Sequence, residues 1–267
     1  MIALRGNGSF EINLRVEGSG PPLLFLGGSN FDLSLSAPVF DSRLTECFTV
    51  AAYDPRGLGH SFAPAGRWTM KHYADDALRV LDHLGWETAY VLGESFGGMS
   101  ALHLAVNSPE RIAKLAVSAT TAGGQGGGPY PIHELVAIED ARERAASVLT
   151  ILDRRFSLLC ENDPAAAEAR IVGRLRREAL FLNHANNRSG YDRLLQARRH
   201  HDCWMHLPSL KLPVIVIAGE FDDQAPLHRI EAMSDALPDA RLHVFPDGHD
   251  VLFASEHPVE TIIDAWT

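Results

Sequence analysis

The sequence predicts an α/β fold: a mostly parallel central sheet with helices on both faces and an inserted helical lid. Three observations lead there. Short apolar runs rich in β-branched residues alternate with amphipathic helical patterns. One of these runs passes through Gly-x-Ser-x-Gly straight into helical sequence. One long Ala/Arg/Leu-rich interval breaks the alternation before strand-like sequence resumes.

Near the N-terminus, Phe10, Ile12, Leu14 and Val16 alternate with polar neighbours, and with residues 2–5 across Gly6-Asn7-Gly8 they read as an antiparallel hairpin. Buried strands are expected at residues 22–26 (PLLFL), 48–53 (FTVAAY), 89–92, 115–118, 214–218 (VIVIA) and 242–245. Between them, residues 70–84 place Tyr73, Ala77, Val80, Leu81 and Leu84 on one helical face. Residues 98–106 and 258–266 also read as helices. Near-continuous apolar strands alternating with helices imply a sheet buried on both faces.

After residue 118 comes TTAGGQGGGPYP, and strand-like sequence returns only at Pro213. The intervening residues 132–207 are helical throughout. The domain organisation expected is therefore a core in two parts, residues 1–121 and 210–267, with a helical lid at 122–209. The glycine run reads as a flexible linker, since glycine lowers the cost of unusual backbone angles.

Composition bounds the function. The chain has 267 residues, 46% hydrophobic and 22% charged, which is globular composition. A formal net charge of −10 opposes nucleic acid and anionic membrane surfaces, and the arginine clusters are too short to reverse it. No run approaches the roughly 18 apolar residues of a membrane span. The first residues lack the apolar core of a signal peptide. Cys47, Cys160 and Cys203 are an odd, widely spaced set, so reduced thiols and a cytoplasmic location are expected. Among 13 histidines there is no H-x-x-x-H, and there is no C-x-x-C; HHDCWMH has no ligand spacing, so no catalytic metal is expected. Self-association is not readable.

The chemistry lies in LGESFGGMS, residues 92–100. A serine at the apex of a strand-to-helix turn projects its hydroxyl clear of the sheet edge. Gly93 and Gly97 lack the Cβ atoms that would collide as strand and helix fold back. The Phe96 amide points into the same space at the helix N-terminus, where partial positive charge favours an oxyanion. A lone serine is a poor nucleophile and needs a base with an orienting acid. Downstream sequence supplies both types. An acidic loop, GEFDDQAP, follows VIVIA, and PDGH follows LHVF.

With these motifs the chain resembles the α/β-hydrolase fold enzymes that carry a helical lid, over essentially its whole length. Residue by residue, Ser95 falls at the nucleophile, Asp222 at the acid of G-x-x-D-x-x-x-P, and His249 at the terminal Gly-His. YDPRGLGHS, residues 53–61, matches the family's D-x-R-G-x-G-x-S loop, which is mostly structural there. Motif spacing favours Asp222 over Asp223, which is left to solvent. The family often has His-Gly after the first central strand. Here Gly27 takes the histidine position, so Ser29 is the expected second oxyanion amide beside Phe96, with Gly28 if the register slips by one.

The resemblance implies a serine hydrolase acting without cofactor on a small to medium substrate, through an acyl-enzyme on Ser95. An ester, lactone or thioester is the expected bond. Carbon–carbon bond hydrolases and cofactor-free haloperoxidases or perhydrolases use the same triad, and a non-catalytic ligand receptor is the alternative of another class. Glu94, beside the nucleophile, either lines the pocket or pairs with an arginine, and the pairing is the expected reading. Tyr130, Phe156, Phe181, Trp204 and Met205 are expected to form lid core rather than pocket wall.

Overall fold

In the computed structural model, residues 2–5 and 10–267 are described. The turn of the expected N-terminal hairpin lies outside them. Eight strands form one sheet: β1 (Ile2–Arg5), β2 (Glu11–Gly18), β3 (Pro22–Leu26), β4 (Thr49–Tyr53), β5 (Ala89–Glu94), β6 (Ile112–Ser118), β7 (Val214–Gly219) and β8 (Ala240–Phe245). Their order is β1-β2-β4-β3-β5-β6-β7-β8. The β1–β2 and β2–β4 pairs are antiparallel, and every pair from β4 to β8 is parallel.

The helices in chain order are α1 (Leu44–Cys47), α2 (Met70–His83), α3 (Phe96–Asn107), α4 (Ala141–Leu152), α5 (Phe156–Asn162), α6 (Pro164–Leu182), α7 (Asn187–Arg199), α8 (Leu227–Ala236), α9 (Val251–Ala254) and α10 (His257–Trp266). Alternate strand residues serve opposite faces. Leu24, Val91, Val214 and Val216 pack with Ala77, Val80 and Leu81 of α2 and with Leu102 of α3. Leu23, Phe25, Leu92, Ile215 and Ile217 pack with Leu44 of α1 and Ile262 and Trp266 of α10. Both faces being covered is why these strands carry almost unbroken apolar sequence.

Between β6 and β7 stand α4–α7, the helical insertion the sequence predicts. Its seam with the core joins Phe181, Leu194 and Leu195 to Leu58, Trp68, Tyr73 and Phe96. Leu149, Phe156 and Ala167 form a small core of its own. Of the five aromatic and Met residues assigned to lid core, Phe156 and Phe181 are buried there, and Tyr130 is partly buried at the seam. Met205 is 73% exposed, and Trp204 packs instead on the main core.

The glycine run is not a loose linker. Gly123 bridges Asp202, and a Cβ there would strike the His201 carbonyl; one on Gly126 would enter the Trp204 ring. At Gly123 the outgoing and returning chains of the insertion lie backbone to backbone, while Gly124 and Gly126 leave room for the Asp202 and Trp204 side chains.

The loop after β4 is structural, as the resemblance implies. Asp54, with no exposed surface, accepts hydrogen bonds from the Asn13 side chain and the amides of Leu33 and His60. Arg56 grips the fully buried Asp76 of α2 with two hydrogen bonds of 2.7 and 2.6 Å. From the insertion, buried Asn187 accepts from the Gly59 amide and donates to the Phe181 carbonyl. No helix among the described residues is long and apolar enough to cross a membrane.

Candidate active site

Strand order reverses around β3, whose neighbours β4 and β5 follow it in sequence on opposite sides. The crevice at such a switch point, beyond the strands' C-terminal ends, is where open α/β sheets bind ligands. Four loops reach it: residues 27–29 after β3, Ser95 after β5, residues 220–226 after β7 and residues 246–249 after β8.

Ser95 sits between β5 and α3 at φ 53°, ψ −116°, a conformation costing a non-glycine residue about 1–3 kcal/mol. Its amide donates to the Ser118 carbonyl at 2.8 Å, tying the turn to β6. A Cβ on Gly93 would collide with Gly97 and Gly98 of the incoming helix, as the sequence implies. A Cβ on Gly97 would collide with the Leu26 carbonyl of β3, a neighbouring strand remote in sequence. Gly98 presses on the Thr120 side chain in the same way.

The structure brings Ser95, His249 and Asp222 together. Ser95 Oγ lies 2.8 Å from His249 Nε2, and His249 Nδ1 lies 2.8 Å from Asp222 Oδ2. The acid accepts at Nδ1, so that nitrogen carries the proton and Nε2 presents its lone pair to the serine. Asp222 is fully buried, and its other oxygen accepts from the amides of Gln224 and Ala225 at 2.8 and 2.9 Å. Asp223 faces outward, paired with Arg154 at 3.3 Å. Burial opposes charge on the His249 imidazole, but the adjacent Asp222 carboxylate, helped by Asp250 and Glu94, outweighs it and raises its pKa above the ordinary value.

The amides of Phe96 and Ser29 have no protein acceptor among the described residues. Phe96 opens α3, where the first N–H groups lack intrahelical partners. The loop before Ser29 stands against the nucleophile, with a Cβ built on Gly28 3.8 Å from Ser95 Cβ. The Gly28 amide is equally free.

Several neighbours escape sequence reasoning. The Gln224 side-chain nitrogen lies 2.6 Å from His249 Nε2, at the same lone pair as the serine hydroxyl. The His249 amide donates to the Leu152 carbonyl at the end of α4, and the Asp223 amide to Ile151. The inserted helix therefore holds both triad loops. Neither contact leaves a sequence signal, because backbone carbonyls have no residue identity. Arg198 of α7 is 5% exposed with no acidic partner among the described residues, and burial lowers its pKa to about 10. It faces Tyr191, whose buried hydroxyl also faces Arg174 and the Ser29 side chain.

Glu94 departs from expectation. No arginine pairs with it among the described residues. It faces His249 and Asp250, and burial, reinforced by Asp250, pushes its carboxyl up to about 7.

Away from the crevice, the fold gathers a second group no motif announces. His103 Nε2 lies 3.1 Å from His201 Nδ1, and the ligand atoms of His103, His201 and Cys203 all lie within 4.8 Å of one another. Burial lowers the rings to about 4 and 3 and raises the Cys203 thiol to about 12.

A parallel sheet with a serine on a strained strand-to-helix turn at its switch point defines the class: hydrolases built on a doubly covered α/β sheet. The chain belongs to the α/β-hydrolase family, whose model, described as alpha/beta hydrolase fold, matches residues 21–166. It is 30% identical to a 2-hydroxymuconate semialdehyde hydrolase of Pseudomonas putida, covering 88% of this chain and 83% of that one. A poly(3-hydroxyalkanoate) depolymerase of Ectopseudomonas oleovorans is 28% identical, over 91% of this chain and 82% of its own. The crystal structure of the enol-lactonase from Burkholderia xenovorans LB400 superposes with a TM-score of 0.79 at 25% identity, covering 98% of each chain.

Proposed function

We propose that this hydrolase cleaves an ester-like bond (carboxylic ester, lactone or thioester) through an acyl-enzyme on Ser95. The observation that carries the reading is the unbroken hydrogen-bond chain from the Ser95 hydroxyl through His249 to Asp222, with both links at 2.8 Å. Ser95 Oγ attacks the carbonyl carbon while its proton passes to His249 Nε2. Asp222 holds the imidazole tautomer and stabilises the imidazolium. The oxyanion meets the amides of Phe96 and Ser29, each donor being worth about 3 kcal/mol. The imidazolium then protonates the leaving group, and water, deprotonated by His249, releases the acid. Residues 122–209 act as the lid over the two-part core 1–121 and 210–267, with α4 bracing the His249 and Asp222 loops from above.

Arg198 favours a substrate that bears a carboxylate, since an arginine buried without an acid gains most from an anionic ligand. Carbon–carbon bond hydrolysis on the same triad is the second reading, favoured by the likeness to the 2-hydroxymuconate semialdehyde hydrolase. A panel of esters of graded acyl length, lactones, acyl thioesters and vinylogous 1,5-diketo acids tests these readings, with Ser95→Ala as blank. Ester or lactone turnover lost in Ser95→Ala supports the proposal. Turnover confined to the diketo acids replaces it with the second reading, and wild-type turnover by Ser95→Ala removes Ser95 as nucleophile.

A further inference from the structure

The geometry points to a structural Zn²⁺ site formed by His103 Nε2, His201 Nδ1 and Cys203 Sγ, a metal clip that staples the root of the inserted helices to the nucleophile helix. His103 lies eight residues beyond Ser95 on α3, about 12 Å along the helix axis, so the site is separate from the triad. It stands whatever bond the triad cleaves.

The donor set is the borderline-soft mixture of imidazole and thiolate that Zn²⁺ takes, with three protein ligands and the fourth tetrahedral position left to water. Tetrahedral Zn²⁺ with nitrogens at about 2.0–2.1 Å needs them about 3.3 Å apart, and the two rings already sit at 3.1 Å. The widest pair among the three ligand atoms, within 4.8 Å, needs to close to about 3.6 Å for a sulfur–nitrogen edge. His201 Nε2 donates to the Thr121 carbonyl at 2.8 Å. That bond places its proton away from the cluster and leaves Nδ1 as a lone pair facing His103, the arrangement that orients metal-bound histidines. His201 and Cys203 are buried, and His103 is half-buried, which leaves its side for entry and for a water as fourth ligand.

Backbone order adds to the preorganisation. The Cys203 amide donates to the Ala122 carbonyl at 2.8 Å, and Gly123 bridges Asp202. Both chains of the stalk are thus fixed beside α3 before any ion arrives. The charge around the site is mixed. Asp202 faces all three ligands, while Arg198 faces His201 and His206 faces His103. On binding, the His103–His201 hydrogen bond breaks, the His103 proton moves to Nδ1, and Cys203 releases its thiol proton to solvent. Net, one proton leaves per ion bound.

The test uses the full chain stripped with chelator and titrated with Co²⁺ as the spectroscopic stand-in for Zn²⁺. Expected are about one ion per chain, a thiolate-to-cobalt charge-transfer band, intense tetrahedral visible bands, and a Tm raised by Zn²⁺. Cys203→Ala should abolish the charge-transfer band, and His103→Ala should weaken binding by at least ~100-fold. Both should keep ester turnover within about twofold, since neither group touches the triad. A band absent from the wild type, or retained at full intensity in Cys203→Ala, overturns the assignment. So does unchanged cobalt affinity in His103→Ala, whose half-buried side chain is removable without opening the core. Loss of the triad reading would leave the cobalt stoichiometry, the charge-transfer band and the affinity change untouched.

Discussion

Replacing Asp222 with asparagine removes one charge and leaves the shape of the site. The outcome depends on which way the new amide turns. Asp222 Oδ1 accepts two backbone N–H bonds, from Gln224 and Ala225, whereas Oδ2 accepts one bond, from His249. An asparagine turned with its oxygen toward the two amides keeps both bonds. The opposite orientation loses them at about 1 kcal/mol each and sets N–H against N–H. The amide NH₂ is therefore expected to face His249 Nδ1, which must become the acceptor. The imidazole proton then sits on Nε2, facing the Ser95 hydroxyl it should deprotonate. A wrong tautomer of this kind costs about 10⁴-fold in kcat, or about 5.5 kcal/mol of barrier. The assay is kcat on an activated short ester, with circular dichroism to show retained fold. Asp223→Asn is the control, because Asp223 is about half exposed and among the described residues its carboxylate pairs only with Arg154. That variant should stay within about threefold of wild type. A kcat for Asp222→Asn within tenfold of wild type would refute the argument, as would a larger loss for Asp223→Asn.

Four further outcomes are expected. Because the His249 pKa is raised, the acid limb of kcat/KM should have its midpoint above the ordinary histidine value of 6.5, and Glu94→Gln should move it downward by removing a nearby negative charge. The Glu94 carboxyl is raised, so the stability linked to its protonated form is present below the ordinary carboxyl range and is lost as pH climbs through about 7. Glu94→Gln should accordingly raise Tm near pH 8 and leave it unchanged near pH 4, read by thermal melts at both. Asp76→Ala strands the 5%-exposed Arg56 without its partner, which should cost about 3–5 kcal/mol in urea unfolding. Gly97→Ala drives a methyl into the Leu26 carbonyl, and the overpacking should cost about 1–3 kcal/mol while lowering kcat by displacing the adjacent Phe96 amide.

The legible part of this chain is local. The strand expected at residues 22–26 is β3 to the residue, and that at 214–218 is β7 short by one. Both are buried on two faces, so their apolar run has no competing reading. β6 begins three residues before the expected start, because the half-buried Lys114 near its entry breaks the apolar run. Ser95, Asp222 and His249 were readable because each stands at a turn whose glycines, acid and neighbours form a short motif.

Other features exist only as distances. Gln224 meets His249 across 25 positions, His103 meets His201 across 98, and the Leu152 carbonyl holds the His249 amide across 97. Glu94 looked like a surface charge awaiting an arginine and proved to be a half-buried acid beside His249 and Asp250. The glycine run looked slack and proved to be packed, because what fills the space of a missing side chain comes from elsewhere in the chain.

The sequence by itself determined the layered sheet, the inserted helices and the turn that strains Ser95, since hydrophobic period and glycine spacing act over a few neighbouring residues. Only the tertiary structure decided which amides remain free, where an arginine is buried without an acid among the described residues, and which imidazole and thiol groups converge at the root of the insertion. Those depend on how strands far apart in sequence order themselves in the sheet, and a one-dimensional pattern does not contain that order.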